Sequence, residues 1–148
     1  MRAISTVLVL SAMLTGCAPP KPVNVTLGEA CERCRRPIVE ERLAAEHVGD
    51  NGFAVKFRTI HCMATWLGQH PTVGDGFIYV ANYARGGWLR ADRASYVRVV
   101  VNPNTMERDF IAFADPQLAA AAARENSSVV VGWEDVLELG RTQPIGGN

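Results

Sequence analysis

The sequence predicts an α+β fold: two small ββαβ units packed together behind a cleaved lipoprotein signal peptide. Three observations point there. Two strand-like runs flank the turn Gly49-Asp50-Asn51-Gly52, a capped helical stretch and a further strand follow, and the second half of the chain repeats that order. At 148 residues and 48% hydrophobic, the chain is apolar enough to bury a core, which argues against a disordered tail. Fifteen Lys+Arg balance 15 Asp+Glu, so no basic excess exists to neutralise a phosphate backbone, and no nucleic-acid partner is expected.

The N-terminus reads as an address. Met1-Arg2 precedes an apolar run from Ala3 to Met13, shorter than the ~20 residues a bilayer span needs but suited to a signal-peptide core. Leu14-Thr15-Gly16-Cys17 resembles the bacterial lipobox, which implies cleavage before Cys17 and acylation of that cysteine. Residues 1–16 are thus read as signal peptide and 17–30 as lipidated cysteine plus tether, because Pro19, Pro20 and Pro22 block helix and favour an extended chain. Several acyl chains on one residue anchor a protein where a single chain is marginal. The residue after Cys17 is Ala18 and not Asp, which under lipoprotein sorting favours the outer membrane, facing the periplasm, over the inner one. No other stretch is long and apolar enough to cross a membrane.

The first ββαβ unit is placed at 31–85. Residues 37–48 fit strand or helix by propensity, but the turn at 49–52 and the alternation of Phe53-Ala54-Val55-Lys56-Phe57-Arg58 favour a hairpin. Thr59 is a plausible N-cap for a helix from Ile60 to about Gln69, with Met63, Trp66 and Leu67 on its buried face. Phe77 to Val80 makes a third strand. The second unit, 86–140, has strands at Tyr96–Val101 and Asp109–Ala114 around the turn Asn102-Pro103-Asn104. Asp115 as N-cap and Pro116 at the first helical position open an alanine-rich helix to about Glu125. Ser127 to Val131 is a final strand, Trp133 to Leu139 a closing helix, and 141–148 a flexible tail.

Apart from Cys17 the chain has three cysteines, Cys31, Cys34 and Cys62. Outside the cytoplasm disulfides are expected, yet three thiols cannot all pair. Either one pair forms and a spare is buried, or the three serve one metal ion. Cys31-Glu32-Arg33-Cys34 alone fits a zinc knuckle, a redox pair or a disulfide; the redox reading wants a helix after the motif, whereas Pro37 and a hairpin follow. Cys62 falls in the first turn of the helix after Thr59, where the helix dipole favours a thiolate, and Arg33, Arg35 and Arg36 favour thiolates at Cys31 and Cys34. Thiolate and thioether donors together suit Cu(I), while zinc takes thiolate and imidazole but seldom thioether.

Blander roles compete at several positions. By helix phase Met63 fits core packing better than ligation, and His61 fits an exposed helical position as readily as a ligand. His47 and His70 are read as surface residues. Met106, in the turn Asn104-Thr105-Met106-Glu107, has no apolar neighbours; an exposed loop methionine packs poorly, which favours a thioether role.

A lipoprotein signal, C-x-x-C about a dozen residues into the mature chain and Cys62-Met63 opening a helix together resemble the NosL family, nitrous oxide reductase accessory lipoproteins that bind Cu(I). The resemblance continues through Tyr83, Trp88-Leu89-Arg90-Ala91 and Ala94-Ser95-Tyr96-Val97. It extends to Thr105-Met106 with Ile111 to Asp115, and to Val131-Gly132-Trp133-Glu134-Asp135-Val136, covering roughly residues 31–139. It implies the same pair of ββαβ units. One departure stands out: the family usually continues C-x-x-C with Gly-Met, the methionine being a candidate copper ligand, and here Arg35 and Arg36 occupy those places. A guanidinium cannot bind a cation as a thioether does, so the site must draw on other donors or be weaker.

The resulting expectation is a membrane-anchored extracytoplasmic Cu(I)-binding lipoprotein and not an enzyme. It would act as a copper chaperone for a copper-receiving metalloenzyme, nitrous oxide reductase by resemblance. Cys31 and Cys34 carry over from the family by position, with Cys62, Met63, Met106 and His61 as further metal candidates and lipid at Cys17 as the membrane link. The alternatives are a structural-zinc interaction module built on the three cysteines and His61, and a disulfide-stapled lipoprotein without metal.

Overall fold

The structure, a computed structural model, describes residues 18–73 and 76–143; the segment expected to be a signal peptide, Cys17 and residues 144–148 of the expected tail lie outside the described residues. Strand β1 (Ala45–Gly49) turns through Gly52, whose φ of 78° only glycine adopts cheaply, into β2 (Ala54–Phe57). Thr59 then caps α1 (Ile60–Gln69), its hydroxyl accepting the Cys62 N–H at 3.2 Å, as the sequence predicts. Strand β3 (Gly76–Ala81) returns along the other side of β1, and β4 (Trp88–Arg90) extends the sheet to the order β2-β1-β3-β4. In the second half, β5 (Ser95–Asn102), β6 (Glu107–Phe113), α2 (Pro116–Glu125) and β7 (Val130–Val131) follow. They give the order β6-β5-β7, so the ββαβ path and the 2-1-3 strand order recur in both halves. Asp115 caps α2, its carboxylate accepting the Gln117 N–H at 2.8 Å. The chain closes with α3 (Trp133–Thr142).

The two halves share one core. Residues of β1, β2, α1 and β3 pack with Tyr96, Phe110, Ala112 and Val136 from the second half. The sheets are stitched by an Asn82–Ala112 bridge and by the Tyr83 N–H on the Ala112 carbonyl at 2.9 Å. Helix α3 lies directly on α1: a Cβ added at Gly140 would sit 2.5 Å from the Ala64 carbonyl carbon, so the helices meet backbone to backbone.

Several expectations need correction. Strand β4 was not foreseen, since three residues after Gly86 and Gly87 are too few to show alternation. The last strand holds only Val130 and Val131, because Ser127 turns the chain at a φ of 50°. Helix α3 runs on through Thr142, so Arg141 and Thr142 are helical and not tail. His47 is buried, because the odd positions of β1 face α1; its ring stands 5.9 Å from that of Trp66. His70 is exposed, stacked on Trp66 at 4.5 Å.

The proline-rich segment is docked on the opposite face of the first sheet. By register, Lys56 on β2, Glu46 on β1 and Tyr79 on β3 form one cross-strand row. The Tyr79 hydroxyl donates to the Pro20 carbonyl at 2.6 Å, and the Val23 N–H donates to the Glu46 carboxylate at 2.7 Å. Lys56 donates to the Asn24 carbonyl at 2.8 Å and to the Glu29 carboxylate at 2.9 Å. Beside this row, Val25 packs with Ile38 and Ala44 under Trp88. Burial pushes the Glu46 carboxyl up to about 7, against the Val23 N–H and the Lys56 charge, which favour its ionised form.

Candidate metal centre

The proline-rich segment, docked as a strap on that sheet, leads straight into the C-x-x-C segment, which forms a tight hairpin. Gly28 N–H donates to Ile38 O at 2.9 Å, Ile38 N–H to Glu29 O at 2.8 Å, and Ala30 bridges Pro37. At the tip, Cys31 N–H donates to Arg36 O and Arg35 N–H to Cys31 O, both at 2.9 Å. That turn holds Arg35 at a φ of 58°, in the left-handed region that favours glycine. β2 is the outer strand of its sheet, and its Lys56 carbonyl accepts the Glu32 N–H at 2.8 Å, docking the loop along that free edge.

Helix α1 delivers the third sulfur. Cys62 is its third residue and sits over the loop, so that the Sγ atoms of Cys31, Cys34 and Cys62 all lie within 4.8 Å of one another. Cys34 and Cys62 are 3.8 Å apart, and all three are free thiols. A three-coordinate ion with metal–sulfur bonds of about 2.3 Å needs sulfurs roughly 4 Å apart, so the trio is close to ligating geometry. Cys31 and Cys62 are buried; Cys34 alone is partly exposed.

The electrostatics divide the trio. A hydrogen bond from Cys62 lowers the Cys31 thiol to about 5 against its burial, with help from the backbone N–H groups of Cys34 and Arg58. Cys62 moves up, because it donates that hydrogen bond, is buried, and faces the charge on Cys31. Within the trio a proton is therefore held more firmly on Cys62 than on Cys31. Burial works against the Arg58 guanidinium, but its hydrogen bond and ion pair with Glu107 outweigh it, and the neighbouring cysteine sulfurs act in the same direction.

The remaining candidates are scattered. The His61 ring is buried against Phe110, its Nε2 2.9 Å from the Gln143 carbonyl; burial lowers its pKa and keeps it neutral. Among the described residues no histidine, aspartate or glutamate joins the three cysteines in a ligand-sized group. Met63 is fully buried, in the same core cluster as Cys31 and Cys62. Met106 is 66% exposed at the β5–β6 turn, at a φ of 54°.

Asp109 is a residue of the site that sequence pattern alone does not reveal. Fully buried on β6, its Oδ1 accepts the His61 N–H at 2.9 Å and the Phe110 N–H at 2.7 Å, which ties the start of α1, and so Cys62, to the second sheet. Burial raises its pKa, opposed by the Thr59 hydroxyl and those two N–H groups. The one available signal was an acid leading an otherwise apolar run, Phe110 to Ala114.

No family model and no curated protein matches the chain. A search of solved structures finds the crystal structure of the copper chaperone NosL from Shewanella denitrificans, with a TM-score of 0.64. That match covers 80% of this chain and 96% of the other at 14% identity. The NosL-like architecture expected from the sequence is the architecture found; at this identity the likeness establishes the fold.

Proposed function

We propose that this chain binds Cu(I) through Cys31, Cys34 and Cys62 and passes it to an extracytoplasmic copper enzyme. The observation that carries the reading is the convergence of three sulfurs within 4.8 Å from two segments nearly thirty residues apart in sequence. The fold shared with a protein described as a copper chaperone supports it. Three thiolates without a nitrogen partner suit a soft, low-coordinate monovalent ion, whereas tetrahedral zinc wants a fourth ligand. His61, the fourth donor of the zinc alternative, is turned to the Gln143 carbonyl. Met63 and Met106 remain candidates for an additional soft donor.

Loading requires Cys62 to give up its proton, so binding releases protons and weakens as pH falls. An open coordination position next to the partly exposed Cys34 admits an incoming donor, and transfer then proceeds by ligand exchange without turnover chemistry. Anchoring through lipid at Cys17, on the outer membrane facing the periplasm, rests on Leu14-Thr15-Gly16-Cys17 and Ala18. Nitrous oxide reductase as recipient rests on the resemblance to NosL alone. Anaerobic competition between the reduced protein and a Cu(I) chelator tests the reading. It predicts one Cu(I) per chain, loss of at least tenfold in affinity in Cys34→Ser and Cys62→Ser, and Cu(I) bound in preference to Zn²⁺. Zinc preference with unfolding on its removal would support the structural-zinc alternative instead.

A further inference from the structure

The only partly exposed sulfur of the trio lies in a strongly cationic loop. Arg33, Arg35 and Arg36 flank Cys34 within six residues, against a single acid, Glu32. Glu32 pairs with Arg35 at 3.4 Å, where the Arg35 side chain is 71% exposed; Arg36 is also exposed. The Arg58 guanidinium, paired with Glu107, lies close enough to interact electrostatically with Cys34 and Cys62 as well. Guanidiniums at this position repel a free metal cation, so the rim disfavours capture of the bare ion. They attract an anion, and the two exposed ones, Arg35 and Arg36, directly follow Cys34 in the chain.

We infer that the arginine rim around Cys34 is a docking surface for an acidic protein face that brings metal to this cysteine or takes it away. The inference rests on the metal-binding reading for what is exchanged, but its electrostatics can be measured without metal. Attraction concentrates a negatively charged face at Cys34 and orients it, while the buried Cys31 and Cys62 hold the ion until the exchange is complete.

The test uses the reduced, metal-free protein and two thiol reagents of matched reactivity, an anionic sulfonatoethyl and a cationic trimethylammonium-ethyl methanethiosulfonate. Labelling of Cys34 is followed by peptide mass, and the anionic-to-cationic rate ratio is normalised to that of a small free thiol. The comparison protein is Arg35→Asn/Arg36→Gln; asparagine tolerates the left-handed backbone at 35, and both positions are exposed. Removing two positive charges from the loop that carries the sulfur predicts that the double variant lowers the ratio by about an order of magnitude at ~10 mM salt and by clearly less at ~0.15 M, where the Debye length is about 8 Å. Equal ratios in the two proteins, or a ratio indifferent to salt, would overturn the inference. Retention of the metal-free protein on vesicles rich in phosphatidylglycerol, abolished in the double variant, would assign the rim to lipid and overturn it as well. Failure to bind Cu(I) in the chelator competition is a separate result, bearing on the metal reading and not on the rim.

Discussion

Replacing Glu46 by Gln should make the protein more stable at neutral pH, although it removes a charged group that Lys56 attracts. Glu46 is fully buried in the row that clamps the strap; one oxygen accepts the Val23 N–H, while the other has no hydrogen-bond partner among the described residues. The folded state therefore favours the protonated carboxyl, displaced from 4.5 to about 7. The stability this group contributes is full below its ordinary value and is lost as pH rises through about 7. At ~1.4 kcal/mol per unit, the displacement amounts to about 3 kcal/mol between acid and neutral conditions. Glutamine keeps the acceptor for Val23 and cannot ionise, so Glu46→Gln should match the parent near pH 4.5 and exceed it by about 3 kcal/mol at pH 8. In a chain of this length that is roughly 10 °C in Tm. Urea melts of both proteins at half-unit intervals from pH 4.5 to 8 read the difference directly. Parallel stability curves across that range would refute the reasoning, as would a variant less stable at pH 8.

The other structural predictions are simpler. Asp109→Ala strands the His61 and Phe110 N–H groups in the core and should cost about 2–4 kcal/mol in chemical denaturation, with weaker metal binding through a loosened Cys62. Gly140→Ala drives a methyl into the Ala64 backbone and should cost at least about 2 kcal/mol, read as a lowered Tm, because neither helix can retreat without opening the shared core. Arg35→Gly removes a left-handed non-glycine residue and an exposed ion pair of little worth; it should raise stability by up to ~1 kcal/mol in the same melts.

Legibility tracked the range of the interactions involved. Helices α1 and α2 were readable to the residue because Thr59, and Asp115 with Pro116, are local stop-and-start chemistry that needs no tertiary partner. The recurrence of ββαβ followed from alternation and turns within each half. The meeting of the three cysteines was readable in outline, since C-x-x-C places two sulfurs in one turn and Cys62 opens a helix. Roles set by distant strands were hidden. Nothing local marks Lys56, Glu46 and Tyr79 as one row, because that row exists only once β2, β1 and β3 are in register. The segment around Pro20 accordingly read as a tether, while in the structure it is fastened to that row. His47 looked like a surface residue because its burial depends on Trp66 arriving from α1.

The central claim is that three sulfurs take one copper ion. X-ray absorption at the copper edge of the protein, loaded anaerobically with one equivalent of Cu(I), measures this directly. The account predicts about three sulfur neighbours at roughly 2.3 Å, falling to two in Cys62→Ser. A first shell of nitrogen or oxygen, or a sulfur count unchanged by that substitution, would contradict it.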